Sequence, residues 1–404
     1  MPFDLSRHPL FSPWTDPFSS VTSYLLTKRV APVQYSLPSP YGGISKDERW
    51  LWLACVHPPN PQPSLALVHL DPADPWIRHF PQFGFSGSAP LVAPEGDAVY
   101  LASRRHVYHC TANGEHEAVC TLPGDYVAGR QLWRLSSFLS PSADGRYLLL
   151  DGLVGHHSFV ALGDLASGQV QVVREFQAHH GNAQFSPSNS TELIIAQLAQ
   201  RDPFTGIHIE AGLRLHRMRL DGRGYRCLTP SIPHERGSGL RFEWWTQAGA
   251  VAYVDRGNGA WTIDPDTGKH RILWRGDFDH VDLCHRQRYL CGDGPAERWR
   301  DKGNAVSFAD SRNGACIQVD SGMLPPPYPR RELPLSPYPR FSPQSSWLAY
   351  TSTRGGGVDL ALCPRRDLEE QLHRLPALEA EVETSEENGE IAEAGSGAWR
   401  AWGD

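Results

Sequence analysis

The sequence predicts an all-β protein, a seven-bladed β-propeller forming a single repeat domain, and three observations predict it. Gly (37 residues) and Pro (34) are frequent, Met (3) is rare, and aromatic residues are spread along the chain, which suits many short strands joined by tight turns. A turn leading into a short apolar strand recurs seven times at spacings of about 40 to 60 residues, the period of four-stranded blades. Between these starts lie hairpin signals such as Asp164 to Gly168, Asp221-Gly222 and Asp264 to Gly268, in which Asp opens the turn and Gly supplies a positive φ.

The first start is 43–53, where Ser45, Lys46 and Asp47 precede Trp50-Leu51-Trp52-Leu53. In the second, 91–100, Pro94-Glu95-Gly96-Asp97 feeds Ala98-Val99-Tyr100. The third runs from Ser140-Pro141 through Asp144-Gly145 into Tyr147-Leu148-Leu149-Leu150, and the fourth from Phe185-Ser186-Pro187 into Leu193-Ile194-Ile195-Ala196. Weaker copies at 244–253 and 284–291 are followed by Phe341-Ser342-Pro343 and Trp347-Leu348-Ala349-Tyr350. A ring of blades must close, because an open first or last blade leaves a pairing edge. The strand-like run 22–30 precedes the first repeat and 358–363 follows the last, so one is expected to complete the blade of the other. The domain reading is 1–20 as an N-terminal extension, 21–365 as the propeller and 366–404 as an acidic, disordered tail.

Charge supports that division. From residue 376 onward eight acidic side chains face Arg400 alone, so the tail carries the whole formal charge of −7 and the body is neutral. A neutral body offers no electrostatic footprint for nucleic acid. No apolar leader opens the chain, and no run approaches the ~18 apolar residues of a membrane helix. The expectation is a cytoplasmic protein with neither nucleic-acid nor membrane partners. None of the eight cysteines forms a Cys-x-x-Cys unit, so they are expected to be free thiols packed as small core hydrophobes.

In a propeller, the loops before the innermost strands converge on the central channel. That rule selects His179, His180, Asn182, Gln184, His280, Asp282, Tyr338 and Arg340, with His156, His157, His208, Arg214, His234 and Glu235 on adjoining strands.

Five motifs recur in a familiar order: Asn182-Ala183-Gln184-Phe185-Ser186-Pro187; Arg214 ahead of Asp221-Gly222; Glu243-Trp244-Trp245; Gly292-Asp293; and Thr351-Ser352-Thr353-Arg354-Gly355 with Val358-Asp359-Leu360. Over roughly residues 20 to 365 the chain resembles the seven-bladed propeller lyases of the oligogalacturonate lyase and ulvan lyase type. The resemblance implies a lyase that cleaves short uronic-acid-containing oligosaccharides by β-elimination, with a uronate oligosaccharide as substrate. The C5 proton of a uronate is weakly acidic, so its carboxylate must be neutralised while a base removes the proton and an acid protonates the leaving oxygen.

Arg214 matches the active-site arginine of that family and is expected to clamp the carboxylate. The base is expected among His156, His157, His179 and His180, since imidazole titrates near neutral pH. Tyr338 or His280 would serve as acid. Asn182, Gln184, Trp245, His234 and Arg340 would contact substrate, Asn182 standing where related lyases often place a histidine. Many members bind a divalent metal. The matching positions here are His280, Asp282, Phe242 and Tyr338, so a manganese, calcium or zinc ion would rest on His280 and Asp282, short of the three or four protein donors typical of a transition metal. The rival reading is a non-catalytic propeller that binds carbohydrate or a protein partner.

Overall fold

The computed structural model describes residues 3–85, 87–201, 208–209, 214–229, 239–294, 303–328, 333 and 335–374. Among the described residues seven antiparallel blade sheets follow one another along the chain, with a separate two-stranded ribbon of Gln200–Arg201 and His208–Ile209. The innermost strands of the blades are Val33–Tyr35, Leu91–Val92, Ser140–Pro141, His180–Phe185, Leu240–Trp245, His280–Leu283 and Arg340–Phe341. Each recurring turn found in the sequence links an inner strand to the second strand of its blade.

The chemistry of that turn explains why Ser recurs in it. The Ser45 hydroxyl accepts from the Trp50 amide at 3.0 Å, Ser142 from Tyr147 at 2.9 Å and Ser342 from Trp347 at 3.0 Å. In the sixth blade the Cys284 thiol takes the same place, accepting from the Tyr289 amide at 3.2 Å. A short side chain that bonds nearby backbone favours a turn over a continued strand.

Ring closure comes from the N-terminus. Thr22–Leu26 lies beside Asp359–Pro364 and completes the seventh blade, with Tyr24 opposite Leu362 and Leu25 opposite Ala361. The Tyr350 hydroxyl donates to Ser23 Oγ at 2.9 Å, and Arg29 forks onto Asp359 at 2.8 and 2.6 Å. Phe11–Thr15 adds a fifth strand to this blade, inside the stretch expected as an extension. Arg365–Arg374, all but its first residue in the stretch 366–404 expected as a disordered tail, is a helix whose Leu368 and Leu372 are buried in the core shared by blades six and seven.

The core lies between blades. Leu149, Val160 and Phe176 of blade three meet Phe185, Ile195 and Met218 of blade four, and every other junction is filled in the same manner. All eight cysteines are free. Among the described residues no helix is long and apolar enough to cross a membrane.

Candidate functional site

Strand register gathers the candidate residues at one end of the channel. In blade four His180 pairs with Gln197, and the Gln197 amide donates to the Arg214 carbonyl at 2.7 Å, so Arg214 sits where the inner strand starts. In blade six His280 pairs with Asp293 at the same end. Two inner strands and the approach to a third carry a residue with positive φ here: Asn182 at 57°, Phe242 at 50° and Tyr338 at 52°. The register shifts between Gly181 and Gln184, and between Arg241 and Trp244. Such bulges re-aim side chains, and a positive φ on an aromatic residue persists only where its surroundings impose it.

Glu243, with a side chain only 2% exposed, organises the first group. Its Oε2 accepts from Arg214 Nε at 3.0 Å, while Oε1 accepts from Arg214 Nη2 at 3.2 Å and Asn182 Nδ2 at 2.8 Å. Gln184 Nε2 donates to the Glu243 carbonyl at 2.7 Å, and Trp245 Nε1 to the Gln184 carbonyl at 3.2 Å. Arg214 is thereby held along one edge of its guanidinium, which leaves Nη1 and the second Nη2 hydrogen uncommitted to Glu243.

The second group is built on Asp293, whose side chain is wholly buried. It accepts from the His280 amide at 2.8 Å, from His280 Nδ1 at 3.0 to 3.1 Å and from the Tyr338 amide at 3.1 Å. With Nδ1–H donating to the carboxylate, the lone pair of His280 resides on Nε2. The Tyr338 ring lies 4.1 Å from the imidazole and Phe242 meets it edge-on at 5.1 Å. Burial raises the Tyr338 pKa, as do Asp293 and Glu243, so the phenol keeps its proton.

Arg340, at 2% exposure, lies beneath these rings. Its guanidinium carbon is 4.2 Å from the Phe242 centroid, and Nη1 is 3.2 Å from Asp282 Oδ1 without hydrogen-bond alignment. Asp282 also accepts the amides of Phe341 and Leu283, each at 2.9 Å. Burial raises its pKa while Arg340 pulls it back.

These contacts correct the expected metal pair. Asp282 is committed to Arg340 and two amides, so a guanidinium already supplies the positive charge beside it, and His280, whose Nδ1 bond to Asp293 leaves Nε2 open, is the one available donor of the pair. Among the described residues no group of three or more His, Cys, Asp or Glu side chains is arranged to hold an ion. The residues present do not fit a divalent metal.

No family model matches the sequence, and no curated protein does. Solved structures do. An oligogalacturonate lyase in complex with manganese superposes with a TM-score of 0.68 at 15% identity, covering 88% of this chain and 96% of that one. The oligogalacturonate lyase of Vibrio parahaemolyticus gives 0.67 at 12%, with the same coverage. The fold is that of the oligogalacturonate lyases. At this identity the likeness is one of fold, as the sequence motifs suggested.

Within the oligogalacturonate lyase fold the other expected residues are dispersed. His180 is 3% exposed, with its ring between blades three and four: it stacks on Phe176 at 4.2 Å, and Nε2 bonds the Tyr225 hydroxyl at 2.8 Å. Its strand position pointed to the channel, but its side chain turns to the blade junction. His179 is half-buried near Arg134, which together with burial lowers its pKa. His156 and His157 sit on the hairpin turn of blade three, near Glu175 rather than the channel centre. Trp245 faces a cavity of about 520 Å³ at the opposite end of the channel. His234 and Glu235 lie outside the described residues, as does the side chain of His208.

Glu243 and Asp293, the two carboxylates that organise the mouth, were not singled out in sequence. Both lay inside motifs read for other reasons, the Glu-Trp-Trp triplet and the Gly-Asp pair. The available signal was their place beside a channel residue in an inner or second strand.

Proposed function

We propose that the protein is a lyase that cleaves short uronate-containing oligosaccharides by β-elimination. The observation that carries this is a coincidence of position: Glu243, which holds Arg214, and Phe242, which touches the His280 ring, are consecutive residues of one inner strand. A carboxylate clamp and an oriented imidazole are therefore brought to one mouth.

In this reading the N–H groups of Arg214 uncommitted to Glu243 bind the uronate carboxylate, with Asn182 nearby, and stabilise the charge that develops as C5 loses its proton. His280 Nε2 takes that proton. The electron pair of the broken C5–H bond becomes the C4–C5 double bond, the C4–O4 bond breaks, and the protonated Tyr338 hydroxyl supplies the proton for the leaving oxygen. Asp293 fixes the imidazole tautomer and balances the imidazolium. The base is thus His280 rather than one of His156, His157, His179 and His180, because His280 alone combines a carboxylate partner with a place at the mouth.

One observation favours the second reading, a propeller that binds anionic sugar or a protein partner without cleaving it. The Arg214 charge is already met by Glu243 in two hydrogen bonds, which weakens it as a clamp for a second carboxylate.

Incubation with galacturonate and glucuronate oligomers decides between them, since elimination creates a conjugated double bond that absorbs in the ultraviolet. Turnover is expected to persist in chelator and to fall by about 10²-fold or more in His280→Ala. No absorbance on any oligomer with the wild-type protein sinks the lyase reading.

A further inference from the structure

Away from the channel centre, on the face where inner strands begin, a cavity of about 390 Å³ is bounded by Gln62, Ser88, Ser103, Arg104, Trp133 and Arg134. Its lining is polar, and several of its donors have nothing to bond. Among the described residues, Arg134 Nε and Nη2 and the Ser88 hydroxyl are buried without a hydrogen-bond partner. Unsatisfied buried donors are costly, and a native site that holds three of them around one cavity is built for an acceptor.

Charge says which kind of acceptor. Asp151, a carboxylate that lies with Arg134 beside Gly181, is already engaged: it accepts from the hydroxyl and amide of Ser137, from Ser136 Oγ at 2.9 Å and from the Ala183 amide at 2.9 Å. Neither Arg134 nor Arg104 makes an ion pair among the described residues. Two guanidinium groups with no carboxylate of their own call for an anion.

Shape narrows the class further. Trp133 is 66% exposed, one of few exposed large hydrophobics among the described residues, and its Nε1 is tied to the Gly155 carbonyl at 3.1 Å. A pinned, exposed indole at the rim of a cationic pocket is a stacking platform for a flat ring or the face of a sugar. The pocket also adjoins the channel mouth. A Cβ placed on Gly181 would lie 3.0 Å from Arg134 Nη2, and Gly181 precedes Asn182, which shares Glu243 with Arg214.

We propose that Arg134, Arg104 and Ser88, with Trp133 as platform, form a second anion subsite that binds the carboxylate of a sugar residue neighbouring the one held at Arg214. The inference rests on the proposed function only for the identity of the sugar. It makes the protein a reader of oligosaccharides carrying acidic groups on more than one residue, with Trp133 covering one ring face.

Calorimetry with a uronate trisaccharide and its carboxyl-reduced, neutral counterpart tests this, in a His280→Ala background that removes turnover. Arg134→Met is expected to bind the acidic trisaccharide about tenfold more weakly or worse, a change of ~1.4 kcal/mol per tenfold, and to lose preference over the neutral sugar. Arg134→Lys, which retains the charge, recovers part of the affinity, and Trp133→Phe removes part of the ligand-induced tryptophan quench. Unchanged affinity and preference in a normally melting Arg134→Met overturn the subsite; if that variant unfolds, unchanged binding in Arg134→Lys together with an unchanged quench in Trp133→Phe does so. Absence of trisaccharide binding to the parent protein overturns it as well. Arg134-dependent binding without elimination by the wild type leaves the subsite standing and sinks the lyase reading alone.

Discussion

At the residue scale the site depends on buried charges that are paired inside the protein. Glu243 meets Arg214 through two hydrogen bonds and Asn182 through a third. Removing one member of a buried pair leaves the other desolvated and uncompensated, which costs more than the pair itself contributes. Glu243→Ala is therefore expected to destabilise the fold by ~3 kcal/mol or more in chemical denaturation, and Glu243→Gln, which keeps an acceptor, by less. A Glu243→Ala protein with wild-type stability contradicts the pairing. The sequence drew attention to Arg214, Asn182 and Gln184 but not to their shared partner, because a carboxylate in a strand has no periodic signature that separates a surface residue from a buried counterion.

At the scale of elements, the junction of blades three and four holds an aromatic and imidazole stack that the mechanism does not use. His216 lies nearly parallel to Tyr225 at 4.6 Å, with His180 at 6.0 Å and Arg174 above Tyr225 at 4.7 Å. Burial pushes the His216 pKa from 6.5 down to about 4, helped by His180. Between those values the unfolded chain binds more protons than the folded one, so stability rises with pH across this window. The contribution is complete above pH 6.5 and is lost as pH falls toward 4. It amounts to roughly 3 kcal/mol at most. The melting temperature of the wild type is expected to drop over this range, and His216→Phe, which keeps the stack and removes the titration, to flatten the curve. Equal slopes for both proteins would show that the junction does not titrate. His180 was legible as part of a histidine pair at the start of a strand, yet its place against Phe176 and Tyr225 at the blade junction has no counterpart in residue spacing.

For the whole molecule, the first strands and the last blade are one cooperative unit. Thr22–Leu26 supplies the outermost regular position of blade seven, Arg29 locks onto Asp359, and Asp16 Oδ2 accepts the Ser321 amide and hydroxyl at 2.8 and 2.6 Å, reaching blade six. Deleting residues 1–35 exposes the edge of Asp359–Pro364 and strips Leu25 and Leu26 from the core. The truncated chain is expected to be insoluble, read from its partition between soluble and pelleted fractions. A soluble truncation that melts as the full chain does would show that the ring closes without its N-terminus.

The sequence by itself determined the class of fold, the number of blades and the route of closure, because turn chemistry and apolar alternation are local and each blade repeats them. It also marked Asn182, His280, Tyr338 and Arg340 as channel residues, since their positions follow from the inner-strand starts, and Arg214 through the motif resemblance. Tertiary structure alone decided which of these meet. Glu243 and Asp293 join the mouth from blades five and six, Arg340 occupies the charge position between Phe242 and Asp282, and His180 turns away to Tyr225. The physical reason is that pairing across blades depends on strand register, on bulges and on the direction a side chain leaves the sheet. Those are properties of the closed ring, and a linear pattern of residue types does not carry them.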